Sequence, residues 1–241
     1  MHSPDGQQLL LCELHAHSTW SDGALTITEL VDLYGMNGFD VLCLTDHALS
    51  GAHDRYLTQE SHARYVAAIA REARRAREQY DLLVIPGLEL TFCDPNPDEA
   101  AHALALGARS WVPLEPGIEH ALYEARELGA AIVAAHPHSE VPDPNVQRTT
   151  RWFWHNRERL TGLVDRWELF NRQQTFGWLA DHGLPGIATG DFHRLEHLET
   201  WKTILPCSKT ENDVVEYLRS PERAYVVPWS LRNELRERLA A

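Results

Sequence analysis

Cysteine, basic charge and long apolar runs are all scarce in this sequence, and each scarcity removes a class of protein. Four cysteines occur in 241 residues, Cys12, Cys43, Cys93 and Cys207, and no two stand in a CxxC pair. That excludes a zinc knuckle or a dithiol redox motif and predicts free thiols in a reducing compartment. Lysine and arginine number 22 against 35 aspartates and glutamates, a formal net charge of −13. Such an excess repels a polyanion held by many phosphate contacts, so a long nucleic acid is not an expected partner. A small anion at one site stays open, because bound divalent cations reverse the local charge there. The apolar run at residues 9–12 is far too short for a signal or a membrane span, and no basic cluster precedes it. No membrane partner and a cytoplasmic location are therefore expected. Long linkers and internal repeats are missing too, which predicts a single domain over residues 1–241.

What is present is an alternation of short apolar runs with helical patterns. Seven runs read as strands: 9–15, 40–45, 82–88, 102–106, 131–135, 164–170 and 186–189. Between them, residues 26–37 open on the Thr26/Glu29 pattern of a capping box, and Tyr65, Ile69, Ala73, Ala76 and Tyr80 recur at helical spacing. This rhythm predicts βα units around a parallel sheet, filling about residues 9–206. The extension 207–241 reads as a helix at 211–219, a short edge strand at 224–227 and a helix at 231–239, and carries no evident chemistry. Two proline-rich stretches, 93–99 and 137–149, follow predicted strands and should be irregular loops overhanging the active end.

Ionisable residues cluster at the ends of these runs. His15 and His17 form an HxH pair whose rings share one face, their Cα atoms ~6–7 Å apart. Asp22 follows in a turn, and Thr45–Asp46–His47 closes the second run, with Asp46 placed to orient an imidazole. Glu89 ends the third, His102 opens the fourth, His136 ends the fifth, and Asp191 and His193 follow the seventh. Packing alone does not account for this, because unpaired ionisable groups in a barrel mouth are costly. Nine oxygen or nitrogen ligands suit zinc, manganese or iron, and at three to four ligands per ion imply two or three divalent ions if Glu89 bridges. With neutral histidines the three carboxylates carry −3, so two ions leave +1 and three leave +3, which a phosphate dianion complements.

The ordered segments ELHAHSTWSDG, LTDH, PGLEL, AHALALG, AHP and GDFH, spanning residues 13–193, resemble the PHP (polymerase and histidinol phosphatase) superfamily. The resemblance implies a distorted seven-stranded (β/α) TIM-like barrel. It also implies that His15, His17, Glu89 and Asp191 hold one metal, that Asp22, His47 and His193 hold a second, and that Glu89 bridges to a third on His102 and His136. Several members carry histidine where this chain has Asp22. The implied activity is a metal-dependent phosphoesterase acting on a small phosphorylated metabolite or nucleotide through a metal-bridging hydroxide, with Asp191 or His193 assisting proton transfer. Arg194, Arg172, His138 and Arg148 are the candidate substrate contacts, and Glu168 and Asn171 candidate hydrogen-bonding partners of the cluster. The remaining histidines, His197 among them, are assigned no site role. Two other readings stay open: carbamate, amide or carboxylic ester hydrolysis by the same cluster, and a non-catalytic metal-binding scaffold. Oligomeric state leaves no mark on the sequence.

Overall fold

The computed structural model describes residues 8–49, 55–140, 150–232 and 234. Eleven strands join in one strongly curled sheet: β1 (Leu9–Glu13), β2 (Val41–Leu44), β3 (His47–Ala48), β4 (Leu83–Phe92), β5 (Ala101–Leu106), β6 (Ala131–Ala134), β7 (Arg166–Asn171), β8 (Gln174–Thr175), β9 (Gly186–Thr189), β10 (Trp201–Pro206) and β11 (Tyr225–Pro228). Helices α1 (Ile27–Met36), α2 (Gln59–Tyr80), α3 (Ile118–Glu127), α4 (Trp152–Asn156), α5 (Trp178–Asp181) and α6 (Glu211–Arg219) alternate with them. The capping box predicted for α1 is present: Glu29 N–H donates to Thr26 Oγ1 at 3.3 Å, and Thr26 N–H donates to Glu29 Oε2 at 2.8 Å.

The strands read from sequence are β1, β2, β4, β5, β6, β7 and β9, and they run side by side in that order. The far edge then returns to the start. Phe192, just past β9, bridges Ala16, just past β1; Phe192 N–H donates to the His15 carbonyl at 3.0 Å and His17 N–H to the Phe192 carbonyl at 2.8 Å. The expected distorted barrel is what the chain forms. Strand side chains are buried on both faces, in one cluster with the helices (Leu9, Leu11, Leu42, Leu44, Val84) and one inside the curl (Leu10, Cys12, Val41, Cys43, Ile85). That two-sided burial is why the strands read as continuous apolar runs.

The parallel rhythm breaks in two places. β5 is antiparallel to both β4 and β6, because the loop between β4 and β5 is too short for a parallel crossover. β10 lies antiparallel against β1, pairing Leu9 with Pro206, and touches β9 where Thr203 Oγ1 donates to the Ala188 carbonyl at 2.7 Å. The sequence reading places no strand there, since Lys202 and Thr203 interrupt the apolar pattern. In the C-terminal part, α6 and β11 form as expected, whereas the helix predicted at 231–239 lies mostly outside the described residues. The 93–99 stretch is an irregular loop. Among the described residues, no helix is long and apolar enough to cross a membrane.

Candidate metal centre

All nine candidate ligands meet at one end of the curled sheet, and strand direction and register explain the position of all but Asp22, which stands in a turn. Parallel strands bring their C-terminal ends to this side, which delivers His15, His17, His136, Asp191 and His193 just after β1, β6 and β9. β5 runs the other way, so its N-terminal end is here. That is why His102 opens its run where the other ligands close theirs. Register completes the alignment, with His47 opposite Glu89 and His102 opposite Thr91. Glu89 lies within β4, which continues to Phe92, rather than at its end.

Glu89 is the hub. Its Oε2 lies 3.3 Å from His15 Nε2, 3.2 Å from His17 Nε2 and 2.9 Å from His47 Nδ1. Its Oε1 lies 2.9 Å from His102 Nδ1 and 3.3 Å from His136 Nε2. The two Nε2 atoms of His15 and His17 face each other at 2.9 Å. Asp191 Oδ1 stands 3.5 Å and 3.4 Å from those same nitrogens. Across the cluster, Asp22 Oδ1 is 3.1 Å from His193 Nε2 and 3.6 Å from His47 Nε2. Among the described residues, three groups have ligand atoms mutually within 4.8 Å: His17, Asp22, His47 and His193; His15, His17 and Glu89; His47, Glu89 and His102. One carboxylate oxygen has too few lone pairs for three imidazole donors, and two facing imidazole nitrogens cannot satisfy each other with a proton apiece. Divalent cations fit this donor set, in type and number, better than hydrogen bonds do.

The backbone is strained around the cluster. Among the described residues, four non-glycine positions have positive φ, and three belong to the site: His136 at 30°, Asp191 at 42° and Arg172 at 52°. Each occupies a region that side chains avoid unless the surroundings over-determine it. A layer of hydrogen bonds also orients the ligand rings. Thr91 Oγ1 meets His47 Nδ1 at 2.8 Å, Thr150 Oγ1 meets His136 Nδ1 at 3.1 Å, and Glu168 Oε1 meets His15 Nδ1 at 2.7 Å. Asp46 is a correction. It bonds no imidazole directly but accepts from Ser18 N–H at 2.8 Å, Ser18 Oγ at 2.8 Å and Ser21 Oγ at 2.7 Å, fixing the turn that leads to Asp22, and Ser21 Oγ in turn lies 3.4 Å from His17 Nδ1. His197 is a second correction: its Nδ1 accepts from the His193 backbone N–H at 3.1 Å. Its signal, a histidine four residues past a ligand, was too ordinary to single out.

Burial penalises charge throughout, yet opposite charges prevail at several groups. Burial lowers the His102 and His193 pKa values, but Glu89 at the first, and Asp191 and Asp22 at the second, carry both up to about 9. Burial raises Glu89 and Asp191, and their histidine neighbours more than reverse it, holding both well below the carboxylate range. In His197, burial and then Arg172 push the pKa down to about 4. These values give the metal-free protein a definite pH response. The His102 and His193 protons contribute stability fully present below the ordinary value of 6.5 and lost as pH rises through about 9. The carboxylates stay ionised across this window and add no slope. Melting of metal-free protein from pH 6.5 to 9.5 should therefore show falling stability, about 1.4 kcal/mol per pH unit for each group fully in its window. Metal affinity should rise over the same range, since ligands must shed protons to bind. A flat melting profile would refute the assignment.

A cavity of about 330 Å³ opens beside the cluster, lined by His47, Glu89, His102, His136, Asp191 and His193 on one side and His138, Asn171, Arg172 and Gln174 on the other. Of the expected substrate contacts, Arg172 and His138 are in this wall. Arg172 donates through Nε to the Asp191 carbonyl at 3.1 Å, and its Nη2 lies 3.0 Å from Asp191 Oδ2. Arg194 is not in the wall; it is exposed and paired with Glu196 at 3.1 Å. Arg148 lies outside the described residues.

A family model described as the PHP domain matches residues 13–139. No curated protein matches the chain. Among solved structures, a two-domain protein from Bacteroides vulgatus ATCC 8482 containing a predicted PHP-like metal-dependent phosphoesterase superposes with a TM-score of 0.67 at 23% identity, over 94% of this chain and 66% of that one. A candidate metal-dependent phosphoesterase from Bifidobacterium adolescentis ATCC 15703 gives 0.50 at 14% identity, over 76% of this chain and 87% of its own. An amidohydrolase from Chromobacterium violaceum, solved with bound sulfate and no metal, gives 0.50 at 16% identity with the same coverage. At these identities the likeness is one of fold.

Proposed function

Because the chain belongs to the PHP domain family, we propose that it is a metal-dependent hydrolase that cleaves a phosphoester of a small anionic metabolite or nucleotide. The observation that carries the reading is the convergence of five imidazoles on the two oxygens of Glu89, beside a cavity with a guanidinium in its wall. His15, His17, Glu89 and Asp191 would hold one ion, Asp22, His47 and His193 a second, and Glu89, His102 and His136 a third, of zinc, manganese or iron. When bound, the ions supply Lewis acidity toward phosphoryl oxygens and lower the pKa of a water for use as nucleophile.

The chain's own groups do the rest. Arg172, locked against Asp191, presents a fixed cation to an anionic substrate in the cavity. Asp191 and His193 line the same cavity and handle the protons, Asp191 Oδ1 lying 3.3 Å from His193 Nδ1. A net charge of −13 disfavours a long polyanion and leaves the local cation as the attraction for a small one.

The test couples metal analysis of purified protein to turnover of a phosphomonoester and phosphodiester panel, with carboxylic ester, carbamate and amide substrates alongside. Two or three ions per chain with phosphate release support the reading. Bound metal with only carbonyl-ester, carbamate or amide cleavage would transfer the assignment to that chemistry, and bound metal without any turnover would favour a scaffold. In the same assay Arg172→Ala should raise KM about 10–100-fold, the scale of a lost charged hydrogen bond. An unchanged KM would remove Arg172 from substrate binding.

A further inference from the structure

We propose that Glu168 is a positioning residue of the metal centre, one buried carboxylate that sets a ligand ring, a strained ligand backbone and the cavity wall together. The inference rests on the metal-centre reading above. Glu168 sits on β7, wholly buried, and is not among the groups that face Glu89. Its two oxygens accept from four donors. Oε1 takes His15 Nδ1 at 2.7 Å and Thr189 Oγ1 at 2.7 Å; Oε2 takes the His136 backbone N–H at 2.6 Å and Asn171 Nδ2 at 2.7 Å.

Because the partners donate, the acceptor must be a carboxylate; a glutamine there would turn its own NH2 toward two donors. Each bond has a consequence at the site. With the His15 proton on Nδ1, Nε2 keeps its lone pair and points it into the cluster, toward Glu89 Oε2 at 3.3 Å and Asp191 Oδ1 at 3.5 Å. The bond to His136 N–H falls on the residue with φ 30° and holds the turn that aims its ring at Glu89 Oε1. The bond from Asn171 fixes that amide, leaving Oδ1 as an oriented acceptor beside Arg172 in the cavity wall. A carboxylate serving only the fold has no reason to join three such groups, and Thr189 alone of the four lies outside the site.

A competition titration of the full chain, stripped of metal and reloaded with Zn²⁺ against a chromophoric chelator, tests this with Glu168→Gln and the shorter Glu168→Asp. Melting of each metal-free protein is read alongside. Glu168→Gln should weaken zinc binding about 10–100-fold, with Glu168→Asp between it and the native protein. Wild-type zinc affinity and stoichiometry in Glu168→Gln overturn the proposal, and so does a drop confined to the metal-free melting temperature, the mark of a structural carboxylate. If Glu168→Gln fails to fold, the affinity of Glu168→Asp decides alone. Native protein that binds no zinc overturns the metal-centre reading itself, a result distinct from the others.

Discussion

Glu89→Gln is expected to lower kcat on the order of 10³-fold or more and to strip metal from the protein, while leaving the fold intact. The scale is that of removing a principal electrostatic stabiliser from a water-excluded site. Glutamine keeps the shape of the side chain but removes the charge on which His15, His17, His47, His102 and His136 all converge. It also places an amide donor against imidazoles on one side or the other. Of the nine candidate ligands, Glu89 is the one shared by the first and third proposed positions, and it lies 2.9 Å from His47 of the second, so its loss reaches each. Metal content by plasma spectrometry and turnover of the panel read the two effects separately. A variant that keeps native stoichiometry and kcat within threefold would remove Glu89 from the centre of the mechanism.

The second large effect lies one layer below the cluster. Lys202→Met should cost about 3–5 kcal/mol of folding stability, because it leaves the Glu13 carboxylate buried without its cation. Lys202 Nζ and Glu13 Oε2 are 3.0 Å apart with both side chains wholly buried. Burial pushes the Lys202 pKa down, and Glu13 only partly offsets it. Glu13 Oε1 also accepts from Gly190 N–H at 2.8 Å, tying the pair to the turn that carries Asp191. A Cβ on Gly190 would collide with Glu13 Oε2, which is why that position is glycine. The double variant Glu13→Gln with Lys202→Met removes both charges and should recover most of the loss. Denaturant unfolding of the single and double variants measures the difference; a single variant within about 1 kcal/mol of native would show the pair to be unimportant.

The site was more legible in the sequence than the sheet around it. Ligand-type residues bordering apolar runs follow from chain direction alone, so His15, His17, His47, Glu89, His136, Asp191 and His193 could be gathered without coordinates. His102 looked out of place because the sequence reading made every strand parallel. Strand direction depends on what the connection can span, and the short link after β4 forces β5 to reverse. β10 was missed for the same reason that it matters: Lys202 breaks an apolar pattern by being buried against a partner 189 positions earlier in the chain. Pairing across that distance has no local signature. His197 and Asp46 fail similarly, one acting on a backbone N–H and the other on a serine turn, neither of which spacing can announce.

The placement of β1 has a consequence for how the molecule is made. It is synthesised before the other strands described above, yet one of its two neighbours, β10, pairs Leu9 with Pro206, 197 positions later. Closing so long a loop comes before the reward of the contact, which slows folding. Until β10 arrives, a strand buried on both faces in the finished protein shows an open apolar edge to whatever strand comes near. Newly made chains at high concentration would then pair with one another along β1, and dilution or a chaperone that shields Leu9, Leu10 and Leu11 would favour the native partner.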